Sequence, residues 1–393
     1  MPLTGVEKII WRVRDLVFAP PVRGRLVEGP VVVAGLFRAA SGIGRAARGC
    51  AEALEKAGGN ITRVDLSGVF GQEDLPADPR LTTMPTKETG TLILHCNAPE
   101  ADRALLALRH FRGKRWRIVG CWVWETSVAP ESWRRASRRL SEIWTPSRFA
   151  ADAIAAVSAV PVRAVPHFVA APDGLAADRK RFNLEDEQFV CLAMADGRSS
   201  FFRKNPIGAI RAFRRGLGER PEARLVVKAR NLGEQPAFKE LLSDAAEGDR
   251  RIIILEEDFT EDDQWRLLAC ADVFISLHRS EGFGLPVAEA MALGKAVIAT
   301  GWSGTAEFLD PDAAIAAPWK LEPVDDPSLR YKPADGAVWA EPDEDAAARA
   351  LHRLAGDPAL RRTLGETARA AIARHCGAGA YADALQTLPG ANA

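Results

Sequence analysis

The chain has 393 residues, more than one hydrophobic core usually supports, and its composition is that of an ordinary globular protein: 47% hydrophobic, 26% charged. Lys+Arg and Asp+Glu balance at 52 each, so no global field favours nucleic acid or an acidic partner. Six scattered cysteines without a CxxC pair argue against a disulfide framework or a zinc site, and no apolar run approaches the length of a membrane span. The charges within MPLTGVEKIIWRVRDLVF lead us to expect a cytoplasmic chain with no signal peptide.

In chain order, VVVAGLF (31–37) predicts a short buried strand, and ASGIGRAARGCAEALEKAG (40–58) a helix ending at Gly58-Gly59. TLILHC (91–96), RIVGCWVW (117–124) and SEIWTPS (141–147) read as further strands, with a helix over ESWRRASRRL (131–140). Residues 165–182 are rich in prolines and charges and read as a linker. Alternation restarts with FVCLAMA (189–195), a helix over 206–215, and strands at 223–229, 252–255, 273–276 and 296–299. Residues 346–388 read as helical with a break near Gly377. The prediction is α/β: a Rossmann-like, doubly wound domain over 1–174, a second over 175–374, and a last helix (about 375–393) packing back onto the first.

EGFGLPVAE (281–289) turns from a strand end through a glycine loop into a helix. Pro286 suits a first helical turn, and Gly282 and Gly284 permit close backbone approach, so the loop Gly282-Phe283-Gly284-Leu285 is predicted to meet an anion such as phosphate. Glu289, expected in that first turn, and Glu281 on the loop are read as acceptors for neutral hydroxyls, such as those of a ribose and a sugar. In the first half, Gly42 and Gly44 suggest a dinucleotide fingerprint, but the third glycine is misplaced. Asp310-Pro311-Asp312 reads as a loop, not a metal site.

These stretches carry a family resemblance. HRSEGFGLPVAEAMALGKAVIATGWSGTAEF (278–308) resembles the Glu-x7-Glu segment of the retaining glycosyltransferases of family 4, which have the GT-B architecture of two Rossmann-like domains facing a cleft. GRSSFFRKNPIGAIRAF (197–213) resembles that family's basic loop opposite the donor diphosphate; GCWVWETSVAPESW…IWTPSRFAADA (120–154) and GAVWAEPDEDAAA (336–348) resemble a subgroup making bacterial surface polysaccharides. The resemblance implies a nucleotide-sugar donor, no metal or other cofactor, and a lipid-linked or oligosaccharide acceptor in lipopolysaccharide, capsule or exopolysaccharide assembly. By analogy it favours a hexose, with GDP-mannose as the preferred donor. It further implies that Lys204, with Arg198 or Arg203, offsets charge on the departing diphosphate. Gly42 would face the donor, and His95 would contact the donor sugar or position the acceptor. Glu125, flanked by Trp122 and Trp124, would suit an acceptor sugar. Catalysis is expected to rest on Glu281, Lys204 and His95.

Arginines at RHFRGKRWR (109–117) and WRRASRRL (133–140), with IIWRVRDLVF at the N-terminus, suggest contact with an anionic inner-membrane surface. Competing readings are a GT-B sugar-nucleotide epimerase, a phosphorylase, or a non-catalytic sugar-nucleotide-binding protein. The first needs further carboxylates around the sugar ring and the second a pyridoxal-bearing lysine. The third would tolerate loss of Lys204 or Glu281, yet both are present.

Overall fold

A computed structural model describes residues 18–109, 114–328 and 336–389. Contacts divide the chain into two compact units. The first comprises the described residues up to Val123, Ala129–Phe168 and those from Ala378 on; the second comprises Trp124–Val128 and Val169–Gly377.

The first unit is a seven-stranded parallel sheet of β1 (Val31–Gly35), β2 (Ile61–Asp65), β3 (Leu81–Thr82), β4 (Thr89–His95), β5 (Arg115–Cys121), β6 (Glu142–Thr145) and β7 (Val162–Ala164), in the order β3-β2-β1-β4-β5-β6-β7. Its central strands are apolar on both faces because helices cover both, as parallel sheets require. The helix Gly42–Lys56 follows β1, with the Ser41 side chain capping its first turn. The last helix, Gly379–Gln386, belongs to this unit and contributes Tyr381 and Ala384 to its core. A buried charge cluster holds that helix in place. Arg117 pairs with Glu142, which Arg163 also meets at 2.9 Å, and both arginines donate to carbonyls at the helix end.

The second unit is a six-stranded parallel sheet of β8 (Phe189–Asp196), β9 (Ala223–Arg230), β10 (Ile252–Leu255), β11 (Val273–Ser276), β12 (Ala296–Thr300) and β13 (Ile315–Ala317), in the order β10-β9-β8-β11-β12-β13. An antiparallel pair, β14 (Trp319–Pro323) and β15 (Val338–Pro342), is appended to it. The winding reverses between β8 and β11, so their carboxyl ends open the crevice where doubly wound sheets bind ligands. The loops leaving those two strands carry Lys204 and Glu281.

Two expectations about local structure require correction. The helix read over 131–140 is confined to Trp133–Ser137, because Trp133, Ala136 and Ser137 are drawn into the core and the chain turns at Arg138. The arginines read there as a basic surface are in part paired with acids as well. Arg134 pairs with Glu131 at 2.8 Å, Arg139 with Asp102 at 3.2 Å, and Arg117 is buried against Glu142. The N-terminal basic segment before Phe18 and residues 110–113 lie outside the described residues.

Candidate active site

The loop after β8 winds into the short helix Phe201–Lys204, capped by Ser200, whose side chain accepts from the Arg203 amide at 3.1 Å. Asn205 then takes a left-handed conformation (φ 48°), which asparagine tolerates better than most residues. Its amide group bonds in two directions, donating to the Leu277 carbonyl (2.9 Å) and accepting from Gly208 (3.1 Å). That fixes the basic loop against the end of β11 and opens the helix Pro206–Leu217.

Across the crevice, Glu281 receives both basic side chains. Lys204 Nζ bonds one carboxylate oxygen, and Arg203 Nη1 lies 3.0 Å from the other. Arg203 is 2% exposed and is further committed to the Ser280 carbonyl (2.6 Å) and the Ser199 hydroxyl (3.1 Å). Burial by itself would raise the Glu281 pKa, but the charges of Lys204 and Arg203 overrule it and hold the carboxyl at about 2. Lys204 keeps 18% of its side chain exposed, so it is the cation of the pair that can turn to an incoming anion. Arg198 is at the rim, 52% exposed, and pairs with Glu234 at 2.5 Å. The geometry therefore places Arg203, and not Arg198, beside Lys204 on Glu281.

The loop 282–284 leads into the helix Leu285–Ala292, and Gly284 is its N-cap at φ 96°. A Cβ on Gly284 would fall 2.1 Å from the Thr305 methyl, and one on Gly304 would fall 2.3 Å from the Gly282 carbonyl. The glycines thus let two loops, 281–284 and 301–305, pack backbone to backbone. Ser303 accepts from the Glu281 amide (2.9 Å) and Gly304 donates to the Glu281 carbonyl (2.9 Å), clamping the acid's main chain. Phe283 packs on Phe308 in the core. Gly284→Ala is expected to lower the unfolding free energy by about 1–3 kcal/mol through its left-handed backbone and this contact, checked by urea denaturation.

Glu289 departs from its predicted place. It is the fifth residue of the helix, in the second turn, and is 1% exposed with Gln264 Nε2 at 3.4 Å. His95 ends β4 in the first unit, 1% exposed, and its Nε2 has no hydrogen-bond partner. Burial and the neighbouring His167 push its pKa down to about 3, so it is a neutral imidazole near pH 7. With His167, Trp144 and Tyr381 it lines a small cavity of that unit. Gly42, also in the first unit, is exposed as the first residue of its helix.

The aromatic bracket around Glu125 requires correction. Trp122 is 1% exposed and stands edge-on to Trp133 (5.3 Å), so it is core and offers no open face to a sugar. Trp124 is half-buried and donates to the Val128 carbonyl at 2.8 Å. Glu125 itself belongs with the second unit, 4.0 Å from Arg203, and its carbonyl accepts from Ser280.

Three contributors escaped sequence reasoning. Asn205 and Ser303 act through backbone conformations that no spacing reveals. Arg279 donates to the Phe202 carbonyl (2.6 Å) and pairs with Glu341 (2.5 Å), tying the basic loop to β15. Asp310 caps its own turn by accepting from the Asp312 amide (3.1 Å), and no cluster of metal-ligating residues occurs among the described residues.

Residues 177–371 match the family model described as glycosyl transferases group 1. No curated protein sequence matches the chain. Among solved structures, sucrose-phosphate synthase from Thermosynechococcus elongatus is similar at a TM-score of 0.62 and 17% identity, covering 91% of this chain and 97% of that one. Anabaena Alr3699/HepE, in complex with UDP and glucose, gives a TM-score of 0.62 at 15% identity, over 92% of this chain and 100% of its own. Against TarM from S. aureus, in complex with UDP among other ligands, the values are 0.54 and 11%; the overlap is 76% of this chain and 55% of that longer one. At these identities the likeness carries the fold, which is GT-B.

Proposed function

We propose that this chain, which has the GT-B fold and matches the glycosyl transferases group 1 model over residues 177–371, is a retaining hexosyltransferase of family 4 using a nucleotide-sugar donor. The observation that carries this reading is Glu281 held between Lys204 and Arg203, at the carboxyl ends of β8 and β11 and beside a helix N-terminus.

In this reading the diphosphate lies over the Gly282–Gly284 loop, and Lys204 turns from Glu281 to meet it. Arg203, buried and held by Ser280 and Ser199, remains as the counter-charge that keeps Glu281 ionised. Glu281 then accepts hydrogen bonds from sugar hydroxyls near the reacting carbon. Arg198 reaches the diphosphate from the rim. Glu289 accepts from the ribose diol. As the bond between anomeric carbon and diphosphate breaks, charge grows on the leaving oxygen and Lys204 offsets it. The acceptor hydroxyl attacks the same face and gives its proton to the departing phosphate, so configuration is kept. His95, neutral at pH 7, and Gly42 are the further residues that the family resemblance assigns to the donor sugar. Neither metal nor other cofactor takes part.

The acceptor in this proposal is a lipid-linked oligosaccharide in bacterial surface-polysaccharide assembly, and the donor is GDP-mannose. The subgroup likeness of residues 120–154 and 336–348 supports both. A lipid-borne acceptor would bring the chain to the cytoplasmic face of the inner membrane as a peripheral protein. No described helix is long and apolar enough to cross a membrane. The exposed Arg138 is the basic side chain of this segment open to such contact.

The reading is tested by assaying nucleoside diphosphate release from a panel of nucleotide sugars, GDP-mannose included. Glu289→Ala should raise the donor KM more than it lowers kcat, since hydrogen bonds to a ribose are nearly equal in ground and transition states. A kcat loss at unchanged KM would remove Glu289 from ribose binding.

A further inference from the structure

Four large apolar side chains are exposed among the described residues, and two of them, Trp319 (40%) and Leu321 (51%), stand on β14. Side chains two apart on a strand share a face, about 7 Å along it. We propose that Trp319, continued by Leu321 and bordered by Trp302, is a stacking subsite for a sugar ring of the acceptor glycan; this rests on the glycosyltransferase reading above.

The chemistry suits a saccharide. A pyranose presents one face of C–H bonds and a rim of hydroxyls, and a flat, electron-rich indole complements that face. The Trp319 ring is already fixed, because its N–H donates to the Gly301 carbonyl at 2.7 Å and Trp302 lies 6.2 Å away at a 56° tilt. Little side-chain entropy remains to be lost on binding, and no polar group of the indole must be desolvated.

The platform is continuous with the candidate active site. Gly301, which holds Trp319, begins the same loop whose Ser303 and Gly304 clamp the Glu281 main chain. On the partner strand, Trp339 is buried, the Ala340 amide donates to the Arg279 carbonyl (2.8 Å), and Glu341 pairs with Arg279. A sugar on Trp319 would therefore be bound to the same rigid unit as Glu281. The other occupants fit less well. Two side chains fall far short of the roughly 800 Å² per partner that a stable protein interface needs. The neighbouring Lys320 and Glu322 pair at 2.6 Å, so this strand carries no net positive charge to draw an anionic bilayer.

The test uses the full chain with 15N-labelled indoles, the Trp319 signal being assigned by its loss in Trp319→Phe. Neutral trisaccharides of glucose, galactose and mannose are titrated separately. We expect at least one to shift the Trp319 signal saturably, with Kd roughly tenfold higher for Trp319→Ala, followed through neighbouring signals, and largely kept by Trp319→Phe. Acceptor-independent donor hydrolysis should be unchanged in both variants. The proposal is overturned if none of the three sugars shifts the signal. It is equally overturned if only phosphatidylglycerol vesicles do, or if the shift follows protein concentration alone. A saturable sugar response in a protein that hydrolyses no nucleotide sugar would keep the subsite and reject the transferase reading. Donor hydrolysis without a sugar response would do the reverse.

Discussion

Lys204→Ala is expected to lower turnover by roughly two to three orders of magnitude, about 3–4 kcal/mol of transition-state stabilisation. The charge matters most as the diphosphate departs, so kcat should fall more than donor binding weakens. The substitution is clean for a structural reason. Glu281 loses one cation but keeps Arg203 at 3.0 Å, and the Ser303 and Gly304 contacts to its main chain are untouched. Steady-state kinetics with a parallel thermal melt should show a near-native protein with little activity. Full activity in this variant would remove Lys204 from the mechanism.

Glu281→Gln should be costly in two ways. It removes the buried counter-charge of Arg203, which is 2% exposed, and breaking such a pair typically costs about 3–5 kcal/mol. It should also impair both kcat and donor KM, because hydroxyls near the reacting carbon are held through the transition state. The pH dependence gives an independent check. The folded-state pKa is depressed to about 2, below the ordinary 4.5, so the stabilisation is present above the unfolded value and is lost as pH falls through the folded one. The stability gap between wild type and Glu281→Gln, measured by urea denaturation, should be widest near pH 7. It should narrow below about pH 4.5 as the carboxyl's advantage fades. A gap constant down to pH 3 would mean that Glu281 is not held ionised by its two cations.

Much of the fold was legible because parallel strands covered on both faces write themselves as apolar runs: 252–255 and 273–276 are read to the residue. Where charges enter a strand the signal fails. β2 reads ITRVD, and its buried Arg63 is met by Glu55 at 2.6 Å and Asp78 at 3.6 Å, pairings no local pattern announces. The β14–β15 pair is missed because WKLEP is short, exposed and ends in a proline, so its apolar-polar alternation faces solvent instead of marking a core strand. The loop from Glu281 into a helix was legible in its glycines and proline. Their actual duty, backbone packing against 301–305, was not, since it depends on a segment some twenty residues away. Trp122 was misplaced for the opposite reason. An aromatic beside a carboxylate at a strand end looks like a sugar platform, and only tertiary packing shows that Trp133 lies against it.

A retaining transferase cleaves a nucleotide sugar and passes the sugar on with its configuration kept. The most direct measurement is a proton NMR time course of the purified chain with a panel of α-linked nucleotide sugars, including GDP-mannose, and simple glycosides as acceptors. Release of nucleoside diphosphate from at least one donor is expected, insensitive to chelator, with the transferred sugar appearing first in the α configuration. An initial β product, or no turnover of any donor, would contradict retaining transfer by this chain.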